Sequence, residues 1–383
     1  MIRVWQGFHS EELSGLIRHA WEKEELLIVC SPAMKDLSFV DFLRTQTYPD
    51  KPILGVFTSG TSGGSPRLVL YSKRNIESSL QGIRSFFETN RFDTLFCYPQ
   101  PFHTFGLVLG YVHAAIYGLK LVTGEGRYSR SFHSKRVELH SHSVLTLGTP
   151  THFHDLLKFT RSKGIELVPS YSCIVGGAKV SAPLWYLIRD ALHIEAPSVG
   201  YGASEACPGV THQSPGEEPR ESGEIGRAIP GVSTRIVPGE GFEFSGANVC
   251  MAIVQDGRIE FPKQILLRDE IRCREDGVLI YEGRTDLVLN RGGQKFSLER
   301  IEETIRGEID IETICVTLPD DRLGEELGIL VRERSKKASI YSLLQKEFGQ
   351  SFDPTRYIEV EQFPLNESLK IDRKRGTQLL LDL

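Results

Sequence analysis

The sequence predicts an α/β protein: a large N-terminal domain with mixed sheets and a β-rich subdomain, followed by a small α+β domain. Three observations carry this. Short apolar runs rich in β-branched residues alternate with helical periodicities over the first half of the chain. From about 210 to 285 the pattern changes to short strands punctuated by Pro230-Gly231, Pro238-Gly239, Asp256-Gly257 and Asp276-Gly277. After Arg284 a compact helix and strand alternation resumes, which places a domain boundary near 285 and divides the chain into 1–285 and 286–383.

Taken in order, Ile53-Leu54-Gly55-Val56-Phe57 and Leu68-Val69-Leu70-Tyr71 read as strands on either side of a glycine-rich turn. Ser72 can cap a helix whose apolar positions Ile76, Leu80, Ile83 and Phe87 recur at helical spacing. The apolar stretch 105–122 reads as a buried helix; His113 and Lys120 make it too polar, and its length too short, to span a bilayer. Val144-Leu145-Thr146-Leu147 and Cys173-Ile174-Val175 are strands that each end in glycine. In the last domain the pattern predicts a helix over 298–306, strands over 313–318 and 328–332, a helix over 339–348 and a strand over 357–361.

With 383 residues, 40% hydrophobic and 25% charged, the chain can bury a full core without disulfides or a structural metal. Its 45 basic against 50 acidic residues give a formal net charge of −5, which argues against nucleic acid as a partner. The cysteines stand apart at 30, 97, 173, 207, 250, 273 and 315, odd in number and without a Cys-x-x-Cys pair. They fit thiols in a reducing compartment, so a cytoplasmic location is expected. Met1-Ile2-Arg3-Val4-Trp5-Gln6 lacks the basic and apolar regions of a secretory signal.

The run Thr58-Ser59-Gly60-Thr61-Ser62-Gly63-Gly64-Ser65-Pro66-Arg67 lies between two strands. Its glycines let backbone N–H groups turn toward an anion while the hydroxyls add donors, a chemistry that suits a triphosphate. A plain surface loop is the other reading of the same residues. The Walker pattern is absent, because no Gly-Lys-Ser/Thr follows and a strand comes next.

Four further segments follow in order: Tyr201-Gly202-Ala203-Ser204-Glu205; Arg268-Asp269 ahead of Gly277; Gly283-Arg284-Thr285-Asp286 with Gly292-Gly293-Gln294-Lys295; and Pro364 through Leu369-Lys370-Ile371-Asp372-Arg373. Together with the phosphate loop they resemble the adenylate-forming superfamily of acyl- and aryl-CoA ligases, over about residues 55 to 375. The resemblance implies a two-step reaction. A carboxylic acid attacks the α-phosphorus of ATP to give an acyl-adenylate and pyrophosphate; a thiol such as that of CoA then attacks the acyl carbon and releases AMP.

The resemblance assigns roles residue by residue. Ser59, Gly60, Thr61, Ser62, Gly63 and Arg67 would meet the phosphates, where charge accumulates as the acid approaches. Glu205, with Thr61, corresponds to the position that holds Mg²⁺, a hard cation suited to carboxylate and phosphate oxygens. Ser204 would contact the α-phosphate, Tyr201 and Gly202 would lie against adenine, and Gly176, Gly177 and Ala178 would pass between adenine and the acid. Asp269 and Arg284 would fix the ribose hydroxyls. Lys370 matches the lysine that serves adenylation, although Leu369 replaces the usual glycine before it. Asp286 falls at the hinge about which the mobile C-terminal domain is expected to turn, withdrawing Lys370 and bringing in the 292–293 loop. Gly293 then faces the thiol carrier and Lys295 a phosphate; a hairpin-turn role is the plainer reading of Gly293.

Pro101-Phe102-His103-Thr104-Phe105-Gly106 resembles the segment found in ligases of plain acyl or aryl acids, and His103 stands where amino-acid-activating relatives carry Asp. Thr149-Pro150-Thr151 matches another pocket segment. His140, His142, His152 and His154 straddle a strand and a helix start without a completing Cys or acid, which argues against a zinc site. Only about 55 residues precede the phosphate loop, so a shortened first subdomain is expected. That compactness and Arg268-Asp269 resemble the o-succinylbenzoate-CoA ligases of menaquinone synthesis. A second carboxylate on the acid would need a cation, for which Lys179 and Arg127 are the candidates. Other aryl or short acyl acids, a carrier-protein thiol, and a non-catalytic adenylate-binding protein remain alternatives. Small molecules are the expected partners, and the oligomeric state stays open, a homodimer among the options.

Overall fold

The computed structural model describes residues 1–35, 39–58, 66–332, 336–367 and 369–382. Its contacts divide the chain into two compact units: one runs to Leu267 and takes in Ile271–Tyr281, and the other takes Arg268–Glu270 and everything from Glu282 onward.

In the first unit the strands Ile2–Gln6, Leu26–Cys30 and Pro52–Thr58 run parallel, joined by helices Glu11–Lys23 and Phe39–Arg44. Ser10 starts the first helix by accepting the Glu12 N–H at 3.2 Å, and Leu13, Ile17 and Ala20 bury one face. Arg67–Ser72 returns antiparallel to Pro52–Thr58, so the glycine-rich segment connects two paired strands. The helix after it, Lys73–Arg84, begins at Ser72, whose N–H donates to Asn75 Oδ1 at 2.9 Å.

A nine-stranded sheet holds the rest of this unit. Thr94–Cys97, Lys120–Thr123, Val144–Gly148, Ser170–Val175 and Ile194–Gly202 are parallel neighbours in it and bring their carboxyl ends to one edge. Phe153, Leu156, Trp185, Ile188 and Phe242 are among the side chains buried in its main apolar cluster. Each contributes about 1.5–3 kcal/mol by leaving water.

One expectation is corrected. The 105–122 stretch is a helix only to Tyr117: a wide helix over Phe105–Val112 passes into an α-helix over His113–Tyr117, and Gly118 ends it in the left-handed conformation at φ 67°. Lys120–Thr123 is instead a sheet strand. The 210–285 region is β-rich as expected, and its strands are shared among three sheets. Gly209–His212 and Glu224–Ala228 extend the nine-stranded sheet, Ala252–Gln255 and Arg258–Glu260 extend the N-terminal one, and Val232–Val237, Gly241–Gly246 and Gln264–Leu267 form a third. Local turn signals mark strand ends, while sheet membership is decided by distant apolar surfaces.

In the second unit, strands Val288–Arg291, Gln294–Ser297, Thr313–Asp320, Gly324–Val331 and Tyr357–Glu359 form one sheet. Helix Leu298–Ile309 buries Leu298, Ile301 and Ile305 against it, and Lys337–Phe348 adds Ile340 and Leu344 to the same core. The helix Arg373–Leu381 is additional to the sequence pattern read above.

Candidate active site

Ser59, Gly60, Thr61, Ser62 and Gly63 lie outside the described residues. The flanks of their segment are described. Thr58 is buried, and its Oγ1 meets no hydrogen-bond partner among the described residues. On the opposite strand, Arg67 Nη2 reaches Glu205 Oε1 at 2.7 Å, with 20% and 7% of the two side chains exposed. The structure therefore brings together two residues 138 positions apart, the expected phosphate cation and the expected Mg²⁺ carboxylate, as an ion pair.

Glu205 is held there by its neighbours. It sits in a single helical turn after strand Ile194–Gly202. Tyr71 O–H donates to the Ser204 carbonyl at 2.7 Å, and the Cys250 N–H donates to the Glu205 carbonyl at 2.8 Å. Burial holds the Tyr71 phenol far above its usual titration range, so it stays a donor. Gly202 is required by packing: a side chain would begin 1.7 Å from the Pro208 carbonyl oxygen. Mg²⁺ uses one or two carboxylates and completes its shell with phosphates and water. A fixed, buried Glu205 fits that demand. No group of three or more His, Cys, Asp or Glu among the described residues could hold a metal without substrate.

The parallel strands end at one edge, where an α/β sheet offers its crevice. Strand Val144–Gly148 leads to Thr149, whose methyl lies 3.5 Å from where a side chain on Gly177 would start. Ser170–Val175 leads to Gly176, Gly177 and Ala178, the last two exposed. Tyr201, next to the end of its strand, has its ring 6.1 Å from Tyr281 and 5.9 Å from Phe242. His103 is half-buried, packed edge-on against Phe102 at 4.7 Å, and its carbonyl starts the helix by accepting the Leu107 N–H at 2.8 Å. Lys179 runs its stem beside Gly223, and Arg127 is exposed in the loop after Lys120–Thr123.

The second unit carries the remaining expected residues. Asp269 is 7% exposed and accepts from Arg284 Nη1 at 3.3 Å, so the two expected ribose contacts meet. Arg284 also donates to Asp286 through Nε and Nη2, both at 2.8 Å. The residue expected at the hinge thus grips the residue expected on the ribose. Gly292 and Gly293, at φ 59° and 83°, form the two-residue turn between paired Arg291 and Gln294. That turn type needs two left-handed residues, which accounts for the glycines structurally and leaves the space beside Gly293 open. Lys295 is exposed on the following strand.

Lys370 is exposed in a tight loop between bridged Leu365 and Ile371. Asn366 organises it: its N–H donates to the Lys370 carbonyl at 2.9 Å, and its Oδ1 accepts the Lys370 N–H at 3.1 Å. Leu369 adopts φ 56°, the left-handed conformation its position demands even without glycine. Asp372 then caps the terminal helix, and Arg373 anchors it to Glu302.

One buried network escaped sequence reasoning. Tyr128 O–H donates to Asp155 Oδ2 at 2.8 Å, so His133 Nε2–H must donate to the Tyr128 oxygen at 3.0 Å, and Tyr98 O–H to His133 Nδ1 at 3.2 Å. His9 Nε2–H donates to the Tyr98 carbonyl at 3.3 Å. His152 stacks on Tyr98, with ring centres 5.2 Å apart and planes 12° apart. Burial lowers the His152 imidazole to about 3 and His9 to about 4, so both are neutral at pH 7. The one local signal was Thr149 three residues before His152, the spacing of a capping box. His154 follows on the same helix, while His140 and His142 lie in the loop before Val144.

Residues 12–248 match the family described as AMP-binding enzyme. Acyl-CoA ligase sidI of Aspergillus fumigatus is 26% identical over 71% of this chain and 49% of its own length. Acyl-CoA ligase SID4 of Ajellomyces capsulatus is 25% identical over 71% of this chain and 50% of its own. The chain thus aligns with about half the length of these two relatives. Among solved structures, o-succinylbenzoate CoA synthetase from Bacillus subtilis, in complex with its acyl-adenylate intermediate, superposes with a TM-score of 0.78 at 16% identity, covering 98% of this chain and 87% of that one. That likeness shows a shared fold. No helix among the described residues is long and apolar enough to cross a membrane.

Proposed function

The chain belongs to the AMP-binding enzyme family, and from that premise we propose that it is an ATP-dependent acid–thiol ligase that forms an acyl-adenylate and then a thioester. The observation that carries this reading is the Arg67–Glu205 ion pair, formed at the start of the strand that follows the glycine-rich segment in sequence. A cation and a carboxylate held together there support the reception of a polyphosphate with its metal.

In this reading Arg67 turns from Glu205 toward the phosphates, and Glu205 with Thr61 receives Mg²⁺, which offsets phosphate charge when bound. Asp269 accepts from the ribose hydroxyls, and Arg284 adds donors once Asp286 releases it. Lys370 donates to the oxygens that gain charge as the carboxylate attacks the α-phosphorus and pyrophosphate leaves. In the second step the thiol attacks the acyl carbon beside Gly293 and AMP departs. CoA is the proposed thiol, supported by the names of the curated relatives. The likeness to the o-succinylbenzoate enzyme, with Arg268-Asp269, puts that acid first among candidates.

The test is acid-dependent exchange of labelled pyrophosphate into ATP over a panel of carboxylic acids, repeated with CoA to detect thioester. Exchange that requires an acid supports the reading. ATP turnover indifferent to every acid would refute it.

A further inference from the structure

We infer that His152 is a specificity-determining residue, a neutral hydrogen-bond donor that selects acids carrying an uncharged oxygen acceptor, such as a keto or hydroxyl group, beyond the reacting carboxylate. This rests on the proposed acid-activating function and names the substrate class for it.

His152 stands in the first turn of helix Pro150–Lys163, directly after the strand that delivers Thr149 to the crevice beside Gly177. Its Nδ1 accepts the Thr149 N–H at 3.0 Å, so in the neutral ring the proton is on Nε2. Tyr98 stacks on one face, and the Tyr128 ring meets it edge-on at 4.5 Å. Those two tyrosines are themselves fixed through His133 and Asp155. The ring is thus held by packing and by hydrogen bonds behind it, while the residue stays partly exposed and Nε2 has no partner among the described residues. Such a preorganised donor costs little to order when a ligand arrives.

The surroundings select a neutral acceptor over an anion. Arg136, a cation packed against the same strands, is 1% exposed and committed to Thr146 Oγ1 and Ser170 Oγ at 3.2 and 2.8 Å. His9 and His133 are buried, and Asp155 is an anion that would repel a second carboxylate. A second observation marks the same segment as incomplete. Gln100, two residues beyond Tyr98, buries both ends of its side-chain amide without a partner among the described residues. In o-succinylbenzoate the ketone would meet His152, and the second carboxylate would have to be met elsewhere.

Two variants separate donor from cap. His152→Asn keeps an acceptor for the Thr149 N–H, as Asn75 does for Ser72 at the start of helix Lys73–Arg84, and removes the distal donor. His152→Gln keeps a distal N–H and gives up the cap. Pyrophosphate exchange is measured with 3-, 4- and 5-hydroxy and oxo alkanoates, each paired with its plain alkanoate. The wild type is expected to favour at least one oxygenated acid over its plain partner by about tenfold in kcat/KM. His152→Asn should abolish that preference, bringing the kcat/KM ratio of the oxygenated to the plain acid to about one, and His152→Gln should restore most of it. Exchange with acids but no oxygen preference, or a preference unchanged in His152→Asn, overturns this assignment alone. Absence of exchange with every acid overturns the ligase reading and the assignment with it.

Discussion

Acidification should unfold this protein through its buried histidines. Burial lowers His113, His152 and His212 to about 3 and His9 to about 4, against an ordinary value of 6.5. Between those limits the unfolded chain binds protons that the folded chain refuses, so stability is fully present above pH 6.5 and is lost as pH falls. One such histidine forfeits about 2 kcal/mol between pH 8 and pH 5. Four would forfeit about 8 kcal/mol, comparable to the whole stability of a typical protein, about 5–15 kcal/mol. His212→Phe isolates one proton. The imidazole lies among Phe86 and Phe87, and its partner Ser198 keeps a second hydrogen bond to the Cys173 carbonyl at 2.8 Å. Urea unfolding at half-unit steps from pH 8 to 5 should show the variant losing about 2 kcal/mol less than the wild type. Parallel pH dependences for the two proteins would refute the assignment of a neutral buried imidazole at 212.

Removing the Glu205 carboxylate should cost both stability and activity. Glu205→Ala strands Arg67 and is expected to lower stability by about 3 kcal/mol in denaturant titration; Glu205→Gln, which keeps a hydrogen bond, should lose less stability yet reduce exchange about 10²-fold. Leu369→Gly should change the melting free energy by under about 1 kcal/mol, because relief of the left-handed conformation and added chain entropy offset one another. Leu369→Val should destabilise by about 1–2 kcal/mol, and calorimetry of both variants checks the pair. Lys370→Ala should reduce pyrophosphate exchange by about 10²- to 10³-fold and spare thioester formation from a supplied acyl-adenylate. Gly293→Leu should do the reverse, and rapid-quench assays of each half-reaction distinguish them.

What the sequence made legible was whatever is written locally. The strands around the glycine-rich segment, the Ser72 cap and the apolar face of helix Lys73–Arg84 follow from residues within one or two turns of each other. The Glu205 motif was readable as a pattern, but its pairing with Arg67 across 138 positions was not. The same limit hid the distribution of the 210–285 strands among three sheets and the chain from Tyr98 through His133 and Tyr128 to Asp155. Gly118 carried the signal that ends the helix at Tyr117, and the apolar run continuing past it into strand Lys120–Thr123 masked that signal. Leu369 shows the opposite case. Leu369, where glycine is usual, takes the left-handed conformation, and Asn366 and the Leu365–Ile371 bridge close the loop around it.

The proposed first step is attack by a carboxylate oxygen on the α-phosphorus of ATP, and isotope transfer reports that bond directly. With an accepted acid labelled by ¹⁸O in both carboxylate oxygens, together with ATP and CoA, mass spectrometry should find AMP carrying one ¹⁸O and a thioester retaining the other. Unlabelled AMP, or label in inorganic phosphate with ADP as co-product, would contradict it.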